Sequence, residues 1–316
     1  MENLDTAART LLAKCMGAKE GESVLVVDDD RDNPIPPALL AAAKDLGLEA
    51  LRLTMAPRER SGQEPPRAVA LAMQGADIVL MPTSHSLSHT RARHAACDAG
   101  ARIASMPGIT VDMFARTMSA DYDRVAARSR AVADLLDGGK TVRITTALGS
   151  NLTFSIAGRE AMPDTGLYHS PGDFGNLPAG EAYVAPVEGT AEGVLVVDAS
   201  MAGLGVLSSP LTFTFHEGRV SRVEGEGAET LRNNWKAAGD GADWVAELGV
   251  GTNDAAKIIG KVLEDEKVYG TVHVAMGNNA HFGGVNNVQY HADGVITRPT
   301  LTVDGNSIIE DGVTRF

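Results

Sequence analysis

The sequence has few cysteines, and it lacks both a long apolar run and a signal-like start. Its two cysteines, Cys15 and Cys97, form no Cys-x-x-Cys spacing, which excludes a disulfide framework and gives no sign of a cysteine zinc site. No apolar run reaches the roughly 18 residues that a membrane-spanning helix needs. The first residues lack the basic start and the apolar stretch of a secretory signal. We therefore expect a cytoplasmic protein with no membrane partner.

Basic residues are scarce relative to acidic ones. The chain of 316 residues carries 28 Lys and Arg against 41 Asp and Glu, which gives a formal net charge of -13 with the histidines neutral. A surface this negative repels phosphate backbones unless a local basic patch overrides it. The longest basic cluster, Arg91-Ala92-Arg93-His94, is short. We therefore expect no nucleic-acid partner.

A glycine fingerprint for nucleotides is also missing after the first predicted strand, residues 24–27. The residues at that point are Asp28, Asp29 and Asp30, and three carboxylates oppose a bound phosphate. We interpret the acidic run as a solvated loop with a helix cap, and a metal site there is the alternative.

Short apolar runs alternate with helical patterns over residues 1–139. This alternation predicts an α/β domain with a mostly parallel, doubly wound sheet. A last helix over residues 121–136 ends at Asp137-Gly138-Gly139, and we place the domain boundary at this glycine stop. The predicted strands are 24–27, 48–53, 77–81 and 102–105, and the predicted helices include 3–17, 65–74 and 88–99, the last with Ser88 as its N-cap.

From residue 140 to residue 316 the pattern changes to short β-rich segments broken by glycine. We expect a β-rich α+β domain with antiparallel strands, including a hairpin turn at Glu217-Gly218. The predicted strands are 140–147, 151–156, 182–187, 194–198, 211–215 and 219–224, and the predicted helices are 228–238 and 254–263.

Two histidines, His85 and His89, lie on the loop that follows the third predicted strand. The carboxyl end of a parallel strand is where α/β sheets usually place ligands. The two imidazoles are candidates for a general base or for a hydrogen bond to an anionic substrate. The alternative is a pair of solvent-facing histidines beside a helix cap.

The second domain concentrates residue types that bind metals. His273, His281 and His291 lie close together in the sequence, near Asp293. In an extended segment, His291 and Asp293 point to the same side and can converge on one divalent ion. His273 stands in a strand-like alternation, where a core histidine is the alternative interpretation. Further acidic residues nearby are Glu264, Asp265 and Glu266.

Two glutamates have apolar neighbours. Glu181 opens a predicted strand, and Glu247 lies in Trp244-Val245-Ala246-Glu247-Leu248. A carboxylate in such surroundings is costly to bury unless it is paired or bound to a metal. Glu247 is therefore the stronger candidate ligand, and an exposed strand glutamate is the alternative.

In combination, these segments resemble the thermophilic metallo-aminopeptidases of the aminopeptidase T and S type. The similarity covers roughly residues 170–305 well, and the first domain only in general architecture. The segments that carry it are NLPAGEAYVAP at 176–186, ELGVGTN at 247–253, HVAMG at 273–277 and HAD at 291–293.

The resemblance implies a pair of divalent metals (zinc, cobalt or manganese) in a homodimer that acts on small molecules or short peptides. It implies Glu181, Glu247, His273, His291 and Asp293 as the metal ligands, with Glu264 or Glu266 as a further acidic ligand. The family carries a tyrosine a few residues after its first histidine, where this chain has Asn278-Asn279-Ala280-His281-Phe282.

A related branch resembles 2,5-dihydroxypyridine 5,6-dioxygenase. That resemblance implies one non-haem ferrous ion and a further histidine from the first domain, for which His85 and His89 are the candidates. Ferrous oxygenases generally use two histidines and one carboxylate. The added carboxylate of Glu247 suits two-metal hydrolysis better, and it therefore favours the aminopeptidase branch.

The sequence analysis thus predicts a metal-dependent hydrolase that resembles aminopeptidases and uses metal-activated water on a peptide or small amide. Glu181, or one of Glu264 and Glu266, is the predicted general base, and His281 or His89 is predicted to orient the substrate. The first alternative is the mononuclear iron ring-cleaving dioxygenase. The second is a metal-independent binding protein on the same scaffold.

Overall fold

The computed structural model describes residues 2–316, which divide into two compact units. Unit 1 runs up to Arg124 and includes Gly166–Ala179, whereas unit 2 comprises Val125–Thr165 and Gly180–Phe316. The predicted boundary at residue 139 lies within unit 2. Within residues 2–316, no helix combines the length and the apolar character needed to cross a membrane.

Helices and strands alternate in the first part of the chain. In order they are α1 (Glu2–Arg9), a π-helix (Thr10–Cys15), β1 (Ser23–Asp28), α2 (Ile35–Asp45), β2 (Glu49–Thr54), α3 (Arg67–Met73), β3 (Ile78–Met81), α4 (Arg91–Asp98), β4 (Arg102–Ser105), α5 (Val111–Thr117) and α6 (Tyr122–Leu136).

Strands dominate the remainder. In order they are β5 (Thr141–Thr145), β6 (Asn151–Ser155), β7 (Met162–Asp164), β8 (Phe174–Asn176), β9 (Glu181–Val184), β10 (Glu192–Val197), β11 (Ser200–Met201), β12 (Gly205–Val206), β13 (Leu211–His216), β14 (Arg219–Glu224), α7 (Ala228–Ala238), β15 (Val245–Gly251), α8 (Val262–Asp265), β16 (Val272–Gly277), a 3-10 helix (Ala280–Phe282), β17 (His291–Ile296), β18 (Thr300–Val303), β19 (Asn306–Glu310) and β20 (Val313–Thr314).

Unit 1 contains sheet A, a parallel sheet in the order β2-β1-β3-β4-β8. β1, β3 and β4 are almost entirely buried. Continuous apolar runs are typical of parallel strands covered on both faces. The α/β fold class with a mostly parallel sheet is therefore confirmed for this part of the chain.

Unit 2 contains two antiparallel sheets. Sheet B has the order β14-β13-β10-β6-β5-β18-β19-β20, and sheet C has the order β12-β11-β17-β16-β15-β9-β7. Apolar side chains from both sheets, such as Phe154 and Phe213 of sheet B and Val250 and Val274 of sheet C, form one hydrophobic core. The predicted β-rich second part is confirmed.

The predicted helix over residues 254–263 is wrong, because only α8 is helical in this region. Backbone N–H groups here donate to side chains, which competes with helix formation. Ala255 donates to Asn253 Oδ1, Lys257 to Glu264 Oε1 and Ile259 to Asp265 Oδ1.

Two smaller predictions in unit 1 are also wrong. The N-cap of α4 is Thr90 rather than Ser88, since the Thr90 hydroxyl accepts from the Arg93 N–H. Only Asp30 of the acidic run is solvated, because Asp28 and Asp29 are buried. Asp28 Oδ2 accepts from Arg52 Nε, and Asp29 accepts from the N–H of Ser84.

Candidate metal centre

Four neighbouring strands of sheet C, in the order β17-β16-β15-β9, carry the candidate site. Ala275 pairs with both Glu247 and Asp293, and His273 pairs with Gly249. Because successive side chains of a strand point to opposite faces, Glu247, His273 and Asp293 share one face. The alternate residues on these strands, including Leu248, Val250, Val272, Val274 and Ala292, belong to the hydrophobic core.

The Glu247 carboxylate lies between two imidazoles. Its Oε1 is 3.4 Å from His273 Nε2, and its Oε2 is 3.3 Å from His291 Nε2. Asp293 Oδ1 is a further 3.4 Å from His291 Nε2. One ligand atom each from Glu247, His273 and Asp293 lie within 4.8 Å of one another, and all three residues are buried. We call these three residues, together with His291, the first group.

A backbone carbonyl sets the tautomer of His291. Its Nδ1 lies 2.9 Å from the carbonyl oxygen of Asn278, an acceptor only, so Nδ1 must donate a proton. Nε2 is therefore the nitrogen that is available to a metal, and it faces Glu247 and Asp293. Histidines that bind a metal through one ring nitrogen usually donate a hydrogen bond from the other nitrogen to a carboxylate, a backbone carbonyl or water.

The His273 ring extends over the neighbouring strand at Gly249. A Cβ at Gly249 would lie 1.9 Å from His273 Nε2, so only glycine leaves room for this ring position. The ring is fully buried, and among residues 2–316 its Nδ1 has no hydrogen-bond partner. The nitrogen that faces Glu181 and Glu247 is the other one, Nε2, so Nε2 is the one directed at the carboxylates.

A second cluster of ligand types adjoins the first and shares His273 with it. Glu181, Glu266 and His273 offer ligand atoms within 4.8 Å of one another, and His273 Nε2 is 3.1 Å from Glu181 Oε2. The Lys267 ammonium also reaches this cluster, at 2.7 Å from Glu181 Oε1 and 2.5 Å from Glu266 Oε1. We call Glu181, Glu266 and His273 the second group.

Burial disfavours the charged forms of the two imidazoles, but the carboxylates beside them outweigh this effect. Glu181 and Glu247 hold the pKa of His273 well above its ordinary value, and Asp293 and Glu247 do the same for the pKa of His291. Without a metal, protons on the imidazoles therefore offset part of the negative charge.

The buried carboxyl groups differ in their response. The pKa values of Glu181 and Glu247 stay below the ordinary value despite burial, because of Lys267 and His273 respectively. Burial raises the pKa of Glu266 to about 8. Burial opposes the charge on Lys267, but Glu181 and Glu266 hold its pKa well above the ordinary value.

The donor set fits a divalent cation. The carboxylates that touch the imidazoles, Glu181, Glu247 and Asp293, exceed the single ammonium of Lys267 by two charges when the imidazoles are neutral. Buried charges of one sign are stable only when they are paired or bound to a metal. Imidazole and carboxylate donors suit zinc, iron and manganese.

The five predicted ligands, Glu181, Glu247, His273, His291 and Asp293, thus come together on sheet C; that they bind metal stays a prediction. Of the other predicted acids, Glu266 joins the second group, whereas Glu264 accepts from the Lys257 N–H instead. His281 lies on the exposed 3-10 helix and belongs to neither group. His85 and His89 lie in unit 1 on the loop after β3, and their roles stay predictions.

Three features of the site were not found from the sequence. Lys267 directly follows Glu266, and this spacing could have suggested an ion pair between the two. The other partner of Lys267, Glu181, is 86 positions away and could not be inferred from the sequence. The clearance at Gly249 depends on the register of β15 and β16. Phe282 packs edge-on against both Tyr183 and His291, with ring centroids 5.4 and 6.2 Å apart.

The fold and the site define a metal-dependent enzyme class in which a parallel α/β unit is followed by antiparallel sheets bearing buried carboxylates and imidazoles. Within this class, the chain belongs to the 2,5-dihydroxypyridine 5,6-dioxygenase family, whose model matches residues 3–315. A comparison with curated protein sequences gives no match.

Two solved structures share the fold. The 2,5-dihydroxypyridine dioxygenase from Pseudomonas putida KT2440 has a TM-score of 0.81 and 19% identity, covering 98% of this chain and 96% of its own. AmpT from Thermus thermophilus has a TM-score of 0.74 and 17% identity, covering 100% of this chain and 99% of its own. The family model thus confirms the predicted resemblance to the dioxygenase branch, and the aminopeptidase AmpT shares the fold.

The family assignment and the two groups of ligand side chains also confirm the prediction of an enzyme with a divalent metal cofactor. The predicted homodimer and the cytoplasmic location stay predictions.

Proposed function

We propose that this protein is a mononuclear iron(II) dioxygenase that opens the ring of a small hydroxylated aromatic molecule, of which a dihydroxypyridine is the model. The proposal differs from the hydrolase that the sequence analysis favoured. Two findings support the change: the dioxygenase family model matches nearly the whole chain, and the more similar of the two structures described above is a dioxygenase.

The observation that carries the proposal is the first group. Mononuclear iron oxygenases bind iron with two imidazoles and one carboxylate on one face, leaving positions open. His273, His291 and Asp293 supply that set, and Glu247 lies between the imidazoles as a fourth group. When bound there, ferrous iron supplies a binding position for oxygen and the one-electron steps that ring oxidation needs.

The residues of the chain itself then orient the substrate and the ligands. The Asn278 carbonyl aims His291 Nε2 at the first group. The edge-on pair of Tyr183 and Phe282 next to His291 offers an aromatic contact for a flat ring. Glu247 is buried beside both imidazoles, where its carboxylate can accept a hydrogen bond from a ring hydroxyl.

The test is metal reconstitution of the purified, metal-free protein. One portion receives ferrous iron under anaerobic conditions and another receives zinc. Each is then assayed for oxygen uptake with 2,5-dihydroxypyridine and for hydrolysis of an aminoacyl amide. We expect oxygen uptake with the iron form only, at close to one iron per chain. His291→Ala should lower the oxygen uptake by about 100-fold or more, because it removes one of the ligands.

The matched control is His216→Ala, since His216 is exposed at the end of β13 in sheet B, whereas the first group lies on sheet C. This variant should retain the iron content and the oxygen uptake. Amide hydrolysis by a form with two zinc ions, without oxygen uptake by the iron form, would contradict the proposal.

A second candidate is the metal-dependent hydrolase of the aminopeptidase branch. The observation that favours it is the presence of two adjoining ligand groups that share His273, since two-metal sites hold ions about 3.5–4 Å apart. The number of metal ions per chain separates the two candidates.

A further inference from the structure

The two ligand groups differ in their contact with a lysine. Lys267 is 1% exposed, and its ammonium contacts Glu181 and Glu266, with Asp164 Oδ2 3.9 Å away. Among residues 2–316, neither Glu247 nor Asp293 has an ion pair with a lysine or an arginine. The second group thus contacts a lysine ammonium, whereas within this range the acids of the first group contact only imidazoles.

We propose that the Lys267 ammonium occupies the position that a second metal ion would take between Glu181 and Glu266, so that the protein binds one metal ion, at the first group. The inference rests on the metal position of the proposed function and names the residue that sets the number of ions.

Geometry makes the ammonium and a second metal ion mutually exclusive. Nζ is 2.7 Å from Glu181 Oε1 and 2.5 Å from Glu266 Oε1. Zinc bound to the same two oxygens would be about 2.0–2.2 Å from each of them. Two oxygens that enclose one cation at these distances leave no room for another, and the two positive charges would repel each other at short range.

The position of Lys267 is built into the local backbone. Its N–H donates to the Glu264 carbonyl at the end of α8, and its own carbonyl accepts from the Asn253 N–H. The ammonium donates hydrogen bonds to Glu181 and Glu266, and Asp164 Oδ2 lies nearby at 3.9 Å. Both the backbone and the side chain are therefore held, and the lysine cannot leave without exposing buried carboxylates.

The ammonium also acts on the first group through Glu181. Lys267 holds Oε1 of Glu181, and Oε2 of the same carboxylate faces His273 Nε2 at 3.1 Å. Lys267 therefore helps to position His273, which both groups share, in addition to occupying the position of a second metal ion.

The test replaces the lysine with a neutral side chain of similar length. The metal-free wild type and Lys267→Met are titrated with Mn²⁺ and with Zn²⁺, and bound metal is measured by calorimetry and by elemental analysis after gel filtration. We expect one ion per chain in the wild type and two in Lys267→Met. The matched control is Lys236→Met on the exposed side of α7, which should bind one ion.

A second variant covers the case in which Lys267→Met does not fold without metal. The double variant Lys267→Met with Glu266→Gln removes a carboxyl group of the second group along with the ammonium, and it should fold and bind one ion. Divalent metal should also restore folding of the single variant, since an ion then replaces the ammonium.

Two outcomes would overturn the inference. One is two ions in the wild type, and the other is a folded Lys267→Met chain that binds a single ion. Failure of the proposed function gives a different result. The iron form of the wild type would then take up no oxygen, whatever the number of metal ions bound per chain.

Discussion

Buried carboxylates occur in both units, but they are neutralised in different ways. In unit 1, Asp28 Oδ2 pairs with Arg52 Nε at 2.5 Å, and Asp29 accepts from the backbone and the hydroxyl of Ser84. In unit 2, Glu247 and Asp293 of the first group face imidazoles and no lysine or arginine among the residues that the structure describes.

The difference distinguishes acids that have cationic or hydrogen-bonding partners in the protein from those that we propose as metal ligands. Both sets lie on strands or directly after them, and both are rich in Asp and Glu, so residue type does not distinguish them. What distinguishes them is the source of the compensating charge. Asp28 and Asp29 of unit 1 pair with an arginine or with backbone and hydroxyl donors, whereas within residues 2–316 Glu247 and Asp293 face only imidazoles, which a metal ion could also bind.

The largest effect that tests this comparison is on metal affinity. Asp293→Asn should weaken metal binding by more than about 100-fold, because even partners behind the ligands usually cost 10–100-fold. Asp28→Asn, the matched variant in unit 1, should leave metal binding unchanged. It should instead lower the free energy of unfolding by about 2 kcal/mol, since it removes a hydrogen bond between charged groups.

The measurements are calorimetric metal titration and urea unfolding, both on each variant. Equal metal affinity in Asp293→Asn and Asp28→Asn would remove the distinction between the two sets of acids.

The next effect concerns pH. In the metal-free protein the pKa values of His273 and His291 are raised, so both imidazoles are protonated below those values and a metal must displace the protons. Metal affinity should therefore fall as the pH falls, by about tenfold per unit for each proton displaced. Titration in two buffers of different ionisation enthalpy measures the protons released.

Release of one or two protons per metal ion is the expected result. Binding without proton release between pH 6 and pH 8 would show that the imidazoles are not the ligands. The pair of Asp28 and Arg52 should show no such competition between protons and metal, because we expect neither residue to bind a metal ion.

The sequence predicted the polar face of sheet C better than its surroundings. His291 and Asp293 were correctly expected to share a side, because the period of a strand fixes it. The interpretation of Glu247 as a costly carboxylate among apolar residues agrees with its burial. These features follow from local spacing alone.

Features that depend on register or on competing hydrogen bonds could not be predicted in this way. Residues 254–261 have a helical pattern, yet their N–H groups donate to Asn253, Glu264 and Asp265. The acidic run at Asp28 and Asp29 looked solvated, because its partner Arg52 belongs to another strand. In the first case the deciding partners are side chains two to seven positions away, and in the second the partner is supplied by a neighbouring strand.

The smallest effect tests whether the first group depends on one backbone position. Gly249→Ala adds a Cβ that would lie 1.9 Å from His273 Nε2, so the ring must move away from Glu181 and Glu247. We expect metal affinity to fall by about tenfold and the free energy of unfolding to fall by about 1–3 kcal/mol, the usual cost of overpacking.

The matched control for this last variant is Gly75→Ala in unit 1, where the added Cβ meets its nearest atom, the Ala72 carbonyl oxygen, at an ordinary 3.7 Å. It should change neither quantity appreciably. Gly249→Ala could lower the free energy of unfolding and leave metal affinity unchanged. That result would mean that the His273 ring moves but is not a metal ligand. His273 would then have only a structural role in sheet C. The first group would then be closer to Asp28 and Asp29 of unit 1, which have their partners within the protein.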